Sequence, residues 1–451
     1  MKNRKEHKSE RRFSPAQFLA LSFLASIAVG AGLFLLPIST KTGHLSLIDA
    51  LFRSTSSVCV TGLSIHDTAS TFTPIGQVIN MLLFQLGGVG IMTFSTLILF
   101  VAGKKISFTD RIIIQQEFHH ASPKDVKTLI KNVFFFVLGM EAIGAFFLYI
   151  RWGKGLPFGK GLFQSIFHSI SAFCNAGFSL FSDSLEAYRN DIWINVTMML
   201  LIVFGGIGFL VLMEGKDVFF SRLKKKKTHV SLHSKIVLSF TFFLIFIPWI
   251  VFLIVEWNQS LQTFPVKGKV LAALFQVVSA RTAGFSTMNL STISFSSVML
   301  LILLMFIGAS SGSTGGGIKT STFGVIFAFL KSKITARNSV NLFYRTLPND
   351  LIMRAFTVVT LSFSIIFFSS FILSLVQPEF SMREVVFEVF SAFGTVGLSL
   401  GITSRLNTAG KIVILLTMYI GRIGPLTLLW AFSRQKSFGR YEYLEENVMI
   451  G

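Results

Sequence analysis

The tripeptide Gly-[Leu/Phe]-Ser occurs four times in this 451-residue chain: Gly62-Leu63-Ser64, Gly177-Phe178-Ser179, Gly284-Phe285-Ser286 and Gly397-Leu398-Ser399. The glycines are 115, 107 and 113 residues apart, close to a quarter of the chain each time. Each tripeptide follows a short apolar segment: Leu47–Ser57, Gly161–Phe173, Lys269–Ala280 and Glu384–Phe393. Inside these segments a Phe (Phe52, Phe167, Phe275, Phe387) is followed four residues later by a Ser (Ser56, Ser171, Ser279, Ser391), and it precedes the tripeptide glycine by ten residues, or nine in the third copy. A second glycine landmark comes 24 to 28 residues after the first, at Gly87, Gly205, Gly308 and Gly421. Self-similarity at a fixed long period marks a chain assembled from copies of one unit. The units are drawn at 1–103, 104–216, 217–331 and 332–451. Glycines that only let helices pack closely do not require a short apolar segment ahead of every tripeptide.

The surroundings of these units are those of a membrane protein. Hydrophobic residues make up 52% of the chain and charged residues 14%, against about 25% charged in a typical soluble domain. Charge-poor runs recur at Phe13–Thr40, Thr68–Gly103, Asn132–Ile150, Ile192–Met213, Ile236–Val255, Thr282–Leu330, Ala355–Val376 and Ile412–Ser433. About 20 apolar residues span a bilayer, and such a span must satisfy its own backbone hydrogen bonds, which makes it a helix. The short segments, at roughly 17 Å of helix each, reach only part of the way across and are expected to be re-entrant. The expected fold is all-α and integral to the membrane. Four linked helix–pore-helix–helix repeats, with eight transmembrane helices, surround a pseudo-fourfold pore. Phe13–Thr40 has no small-x-small site at its end and is expected to be a retained first helix, not a cleaved signal.

The formal charge of +20 invites a nucleic-acid reading, but its placement argues otherwise. Of the 41 Lys and Arg residues, 27 lie in the N-terminal tail, the C-terminal tail and the linkers 103–132, 214–235 and 331–354. The alternate segments hold 12, and Lys319 and Arg422 lie within apolar runs. The positive-inside rule then puts both termini in the cytoplasm. The run Lys224–Lys227 fits a position beside anionic lipid headgroups, and no nucleic-acid partner is expected. Two cysteines, Cys59 and Cys174, are too few for a disulfide framework. They are expected to be buried packing thiols.

A half-helix followed by glycine-containing extended backbone solves one problem in particular. A cation crossing a bilayer must exchange its water shell for other oxygens, and a ring of backbone carbonyls supplies them. Glycine permits the dihedrals that aim carbonyls inward, and half-helix C-termini add negative partial charge. The candidate ion-binding residues are Val60, Thr61 and Gly62; Asn175, Ala176 and Gly177; Thr282, Ala283 and Gly284; and Thr395, Val396 and Gly397. The strands differ in side chain, so the ring is expected to be imperfect.

These motifs closely resemble those of the Trk/Ktr/HKT superfamily of cation transporters, and most nearly the Ktr-type membrane subunit of bacterial potassium uptake. The matching residues are Val60-Thr61-Gly62-Leu63, Ser171-Ala172-Phe173 with Asn175-Ala176-Gly177-Phe178-Ser179, Arg281-Thr282-Ala283-Gly284-Phe285, and Ser391 to Leu398. The pattern departs at Cys174, where the family would be expected to carry Asn. The resemblance runs from about Phe13 to Gly451. It implies potassium as the transported ion, because the family associates glycine at the first ring position with potassium, whereas some plant members carry Ser there and prefer sodium. It also implies a homodimer in a bacterial cell membrane and a cytosolic ring of nucleotide-sensing regulatory subunits, while sodium stays open as a candidate activator. No cofactor is expected in this chain itself.

The third unit has a further feature. Gly308-Ala309-Ser310-Ser311-Gly312-Ser313-Thr314-Gly315-Gly316-Gly317 places five glycines and four hydroxyl residues in ten positions. Glycine costs a helix about 1 kcal/mol relative to Ala, so the helix should break there, inside the membrane. The break resembles the family's intramembrane gating loop. Together with Lys319 it forms the candidate gate, closed by Arg422, which resembles the arginine that approaches that loop and opposes cations. A charge at that depth is functional by default. Gly312 to Thr320 approaches the phosphate-loop pattern, but Ile318 separates Gly317 from Lys319 and no soluble strand precedes it, so ATP binding is rejected. Glu141 is expected to be a structural partner of a polar group. His66 and Asp67 are candidates for the outer mouth, and His119-His120 lies in a basic linker.

Other classes fare worse. An intramembrane enzyme needs a convergent acid pair, a Ser/His pair or a metal cluster inside the spans, and none is found in the sequence. An inverted-repeat transporter needs an odd number of spans per unit, whereas two keep every unit in one orientation. A sodium or weakly selective cation pathway on the same fold stays open beside the potassium reading.

Overall fold

The computed structural model describes residues 14–90, 126–225, 229–337, 339–432 and 446. The basic N-terminal tail, most of the linker 103–132 with His119-His120, Lys226 and Lys227, and the tail Tyr441–Gly451 apart from Glu446 lie outside the described residues.

In the first quarter, α1 (Pro15–Leu35) is followed by the short α2 (Leu47–Val58) and by α3 (Pro74–Val89). The second quarter holds α4 (Val126–Trp152), the short α5 (Phe158–Phe173), α6 (Ile192–Ile207) and α7 (Phe209–Leu223). The third holds α8 (Leu232–Glu256), the short α9 (Val266–Ser279), α10 (Phe295–Phe306) and α11 (Thr320–Ile334). A two-residue antiparallel hairpin, Asn341–Leu342 with Arg345–Thr346, leads into the fourth. There α12 (Asn349–Val376), the short α13 (Met382–Gly394), α14 (Thr408–Ile423) and α15 (Pro425–Phe432) complete the fold.

Side-chain caps start several of these helices. Ser46 accepts from the Asp49 N–H, and Ser381 with Glu384 forms a reciprocal capping box at the start of α13. The four short helices have 12, 16, 14 and 13 residues, up to about a turn longer than the apolar segments alone indicate; Pro157 and Pro265 precede the two without a side-chain cap.

The second apolar runs of the second and fourth quarters depart from the expectation of one continuous span. Among the described residues, α1, α4, α8 and α12 contain helices long and apolar enough to cross a membrane unbroken. The count reaches six if the bent pairs α6–α7 and α14–α15 are taken as one span each. The bends are 103° and 90°. Their cause is the last glycine of the second landmark: Gly208 has φ +103° and Gly424 φ +91°, and Gly90 ends α3 at φ +93°. These are dihedrals that a residue with Cβ avoids. A hydropathy run records only that the residues are apolar, so it cannot register a right-angle turn.

The hydrophobic cores lie between successive quarters. Val60 and Phe84 meet Phe167, Ala176 and Phe178. Phe173 and Met198 meet Phe275, Val278 and Phe285. Val277 and Leu301 meet Phe387, Val396 and Leu398. The sequence of contacts then closes on itself, where Phe34 and Phe52 meet Val389, Phe393 and Ile414. The outer faces of the long helices stay apolar and exposed, as Phe242, Phe243 and Ile254 on α8 and Phe363, Phe367 and Phe371 on α12 show. An apolar surface of that extent suits lipid and not water.

Candidate ion pathway

Each short helix delivers the chain into the same backbone shape. The residue two before the tripeptide glycine is left-handed: Val60 at φ +56°, Asn175 at +56°, Thr282 at +75° and Thr395 at +50°. The glycines follow at +91° (Gly62), +70° (Gly177), +77° (Gly284) and +92° (Gly397). Non-glycine residues rarely adopt such dihedrals, and strain of this kind persists where surrounding structure enforces it. Alternating left-handed and ordinary dihedrals turns successive carbonyls to one side, unlike a β-strand, in which they alternate.

The serines of the short helices enforce it. Thr61, Ala176 and Val396 each donate a backbone N–H to the carbonyl of Ser56, Ser171 or Ser391 at 2.8 Å, and Ala283 donates to Ser279 at 2.9 Å. The Ser56 and Ser391 hydroxyls accept from the N–H groups of Gly62 and Gly397, both at 3.1 Å. The Ser171 and Ser279 hydroxyls donate to the carbonyls of Phe178 (2.8 Å) and Phe285 (2.5 Å).

The four glycines close a ring. A Cβ added to Gly62 would lie 2.6 Å from the Ala176 carbonyl oxygen and 3.1 Å from the Gly177 α-carbon. One added to Gly177 would lie 2.8 Å from the Ala283 oxygen and 3.1 Å from the Gly284 α-carbon. One on Gly284 would overlap the Val396 oxygen, and one on Gly397 the Thr61 oxygen. Each glycine thus packs on the carbonyl preceding the next. The side chains of Val60, Ala176, Ala283 and Val396 point away, into the cores between quarters. The hydroxyls of Thr61, Thr282 and Thr395 are buried and have no hydrogen-bond partner among the described residues. Carbonyls and hydroxyls, with no carboxylate among these twelve residues, are a donor set for a dehydrated monovalent cation.

The glycine-rich segment lies against this ring. Helix α10 stops at Phe306 and α11 starts at Thr320, so the break is a little wider than the glycine run. A parallel bridge between Ile307 and Ile318 pinches its two ends together. Gly315 abuts the Thr282 hydroxyl and Gly316 the Thr395 hydroxyl, so closely that a Cβ at either position would collide with it. The loop is anchored to the α6–α7 bend: Ser310 and Thr314 donate N–H groups to Gly206 (3.0 Å) and Gly205 (3.2 Å), and Phe209 donates to the Gly312 carbonyl at 2.8 Å. The Thr314 hydroxyl also lies 3.1 Å from the carbonyls of Phe173 and Gly205. Thr320 reaches the Gly308 carbonyl at 3.3 Å, Ser313 the Ser310 carbonyl at 2.6 Å, and Ser311 pairs with Ser321 at 2.9 Å.

Lys319 and Arg422 both meet this loop. Lys319 Nζ donates to the Gly315 carbonyl at 2.8 Å. Arg422, on α14, donates through Nη1 to the Thr314 carbonyl and through Nη2 to the Gly87 carbonyl. It therefore joins the first, third and fourth quarters at the loop. Glu141 does hold polar groups: Gln85 Nε2 donates to its carboxylate at 3.0 Å, and the Cys174 thiol is 3.1 Å from Gln85 Oε1. Cys59 and Cys174 are free and buried. His66 is 3.3 Å from Asp49, which also takes the Lys411 ammonium at 2.7 Å, and Asp67 caps the one-turn helix Thr68–Thr71.

Four buried polar residues escaped the sequence reading. Arg53, His168, Gln276 and Glu388 each directly follow the landmark Phe and each bond to the serine of the tripeptide. The signal was available as a polar residue recurring directly after the landmark Phe of each short helix.

Comparison with known proteins places this geometry in context. The family model described as TrkH, cation transport protein, matches residues 3–441. The Ktr system potassium uptake protein B of Bacillus subtilis is 41% identical over 442 residues, covering 98% of this chain and 97% of that protein. The protein of the same name from Vibrio alginolyticus is 37% identical, covering 96% and 94%. The potassium/sodium uptake protein NtpJ of Enterococcus hirae is 36% identical, covering 98% of each. The crystal structure of the potassium transporter TrkH from Vibrio parahaemolyticus superposes with a TM-score of 0.74 at 19% identity, over 95% of this chain and 87% of that one, and so shares the fold.

Proposed function

Because the chain belongs to the TrkH family of cation transport proteins, whose members are transporters and not enzymes, we propose that it takes up potassium through the four-glycine ring. One observation carries the reading: the glycines abut in cyclic order, each against the carbonyl of the strand beside it. A ring of that construction offers oxygens to an ion on the central axis of a pseudo-fourfold pore. In this reading the four helix–pore-helix–helix units make eight crossings. The filter comprises Val60 to Gly62, Asn175 to Gly177, Thr282 to Gly284 and Thr395 to Gly397. The gate is the loop 308–317 with Lys319 and Arg422.

The positive-inside distribution supports a bacterial plasma-membrane protein with cytoplasmic termini. We propose a homodimer acting with a cytosolic nucleotide-binding regulatory ring, with sodium as the candidate activator. The name of the Enterococcus hirae relative favours one further reading, in which sodium itself passes.

The test is growth of a potassium-uptake-deficient bacterium at low potassium, with this chain or its Gly62→Ser variant. The parent is expected to restore growth. The variant is expected to lose it or to admit sodium, because the added side chain meets the Ala176 oxygen. Equal potassium selectivity in both would remove Gly62 from the filter.

A further inference from the structure

We infer that the residue following the pore-helix phenylalanine is a strut that fixes the outer lip of each filter strand, and that Glu388 is the strut on which discrimination between potassium and sodium most depends. The inference rests on the four-glycine filter reading. The strut residues, Arg53, His168, Gln276 and Glu388, differ in every chemical respect except position and polarity. Their exposures are 4%, 0%, 0% and 0%, so they are buried far beyond what polar side chains tolerate without a partner. Each finds the serine two residues beyond the ring glycine. Arg53 donates to Ser64 at 2.8 Å. His168 Nδ1 faces the Gln164 carbonyl at 2.8 Å and so carries the proton, which leaves Nε2 to accept from Ser179 at 3.1 Å. Ser286 donates to Gln276 at 3.3 Å, and Ser399 to Glu388 at 2.7 Å. The invariant serine of the tripeptide thereby gains a purpose. It is the point at which each filter strand is tied back to its own rigid helix.

The struts are unequal. Gln276 makes one long bond, and its amide nitrogen has no partner among the described residues. Arg53 bonds also to Thr68 at 2.9 Å and lies between the rings of Phe72 and Phe178, 4.6 and 4.4 Å from their centroids. Glu388 accepts from Ser399 and also from Thr403, so one carboxylate holds both ends of the turn that leaves the filter. Gly401 closes that turn by donating to the Ser399 hydroxyl at 3.0 Å. A side chain that takes two hydroxyls holds the turn at two points where the other struts hold the serine alone or with one further group, and a filter that rejects a smaller cation must resist contracting around it. Glu388 acts on the ion only through the strand it holds, so it is a positioning residue.

The experiment measures potassium and sodium uptake by the full-length chain in potassium-uptake-deficient cells, for the parent, E388A, E388Q, S399A and the filter control G397S. Loss of the bond between Glu388 and Ser399 is expected to lower the potassium-to-sodium ratio about tenfold in E388A and S399A, and E388Q, whose amide oxygen still accepts a hydroxyl at that place, to restore it to within about twofold of the parent. Size-exclusion profiles of the purified variants exclude misfolding; if E388A aggregates, S399A, which leaves α13 intact, decides. A parallel fall in both cations at constant ratio would make the struts merely structural and overturn the inference. So would a shifted ratio in G397S with parental ratios in E388A and S399A, which would leave the filter reading standing. A parental ratio in G397S would overturn the filter reading and the strut with it.

Discussion

Gly284→Ala is expected to abolish potassium uptake. The position combines two independent penalties. Its φ of +77° is left-handed, costing an L-residue about 1 to 2 kcal/mol. The added methyl would also overlap the Val396 carbonyl oxygen and come within 3.2 Å of the α-carbons of Gly177 and Gly397. Relief requires the third and fourth strands to separate, which opens the proposed filter ring. With about 1.4 kcal/mol per factor of ten, uptake should fall by more than about tenfold. Rubidium uptake normalised to membrane protein by immunoblot checks it. Gly139→Ala serves as the control: that glycine has nothing within 4 Å of the added methyl and an ordinary φ, and its variant should transport as the parent does. Parental uptake in Gly284→Ala would show that the ring does not line the path.

Arg422→Ala is expected to act in the opposite direction, raising flux and weakening its control. Arg422 holds the loop carbonyl of Thr314 with one nitrogen and the α3 carbonyl of Gly87 with the other. Removing it releases the loop from the first quarter and removes a positive charge from beside the ion path, where low dielectric strengthens its repulsion of cations. The loss of charge-assisted bonds corresponds to an increase in leak of about tenfold or more. Arg422→Lys separates the two effects. A lysine keeps the charge but is a single point donor that does not span both carbonyls, so its leak should be intermediate. Flux and regulation unchanged in Arg422→Ala would sink this role.

Much of this was written in the chain because the same local problem is solved four times. A half-helix, a serine that ties the strand and a glycine that must lack a Cβ leave a period that composition cannot hide. The Ser56, Ser171, Ser279 and Ser391 positions stood out as recurrences, and the bonds to their strands explain why. The glycine run 308–317 broke its helix for the propensity reason alone. What did not show was geometry that hydropathy does not encode. The turns at Gly208 and Gly424 lie inside uninterrupted apolar runs, so they looked like continuous spans. The order in which the quarters meet is also set by packing between distant Phe residues, not by any local pattern. Arg53, His168, Gln276 and Glu388 were missed because no residue type recurs there. Their shared register after the landmark Phe marks them in the sequence, and burial with a shared bonding partner shows what the register is for.

The central claim is that the four-glycine ring of this chain, without another protein, chooses potassium. The most direct measurement is the cation dependence of flux through the purified chain in liposomes, with potassium or sodium as the only permeant cation and no other protein present. The expected result is potassium flux well above sodium flux, with the preference lost in Gly62→Ser. Equal flux of the two cations through the parent chain would contradict it.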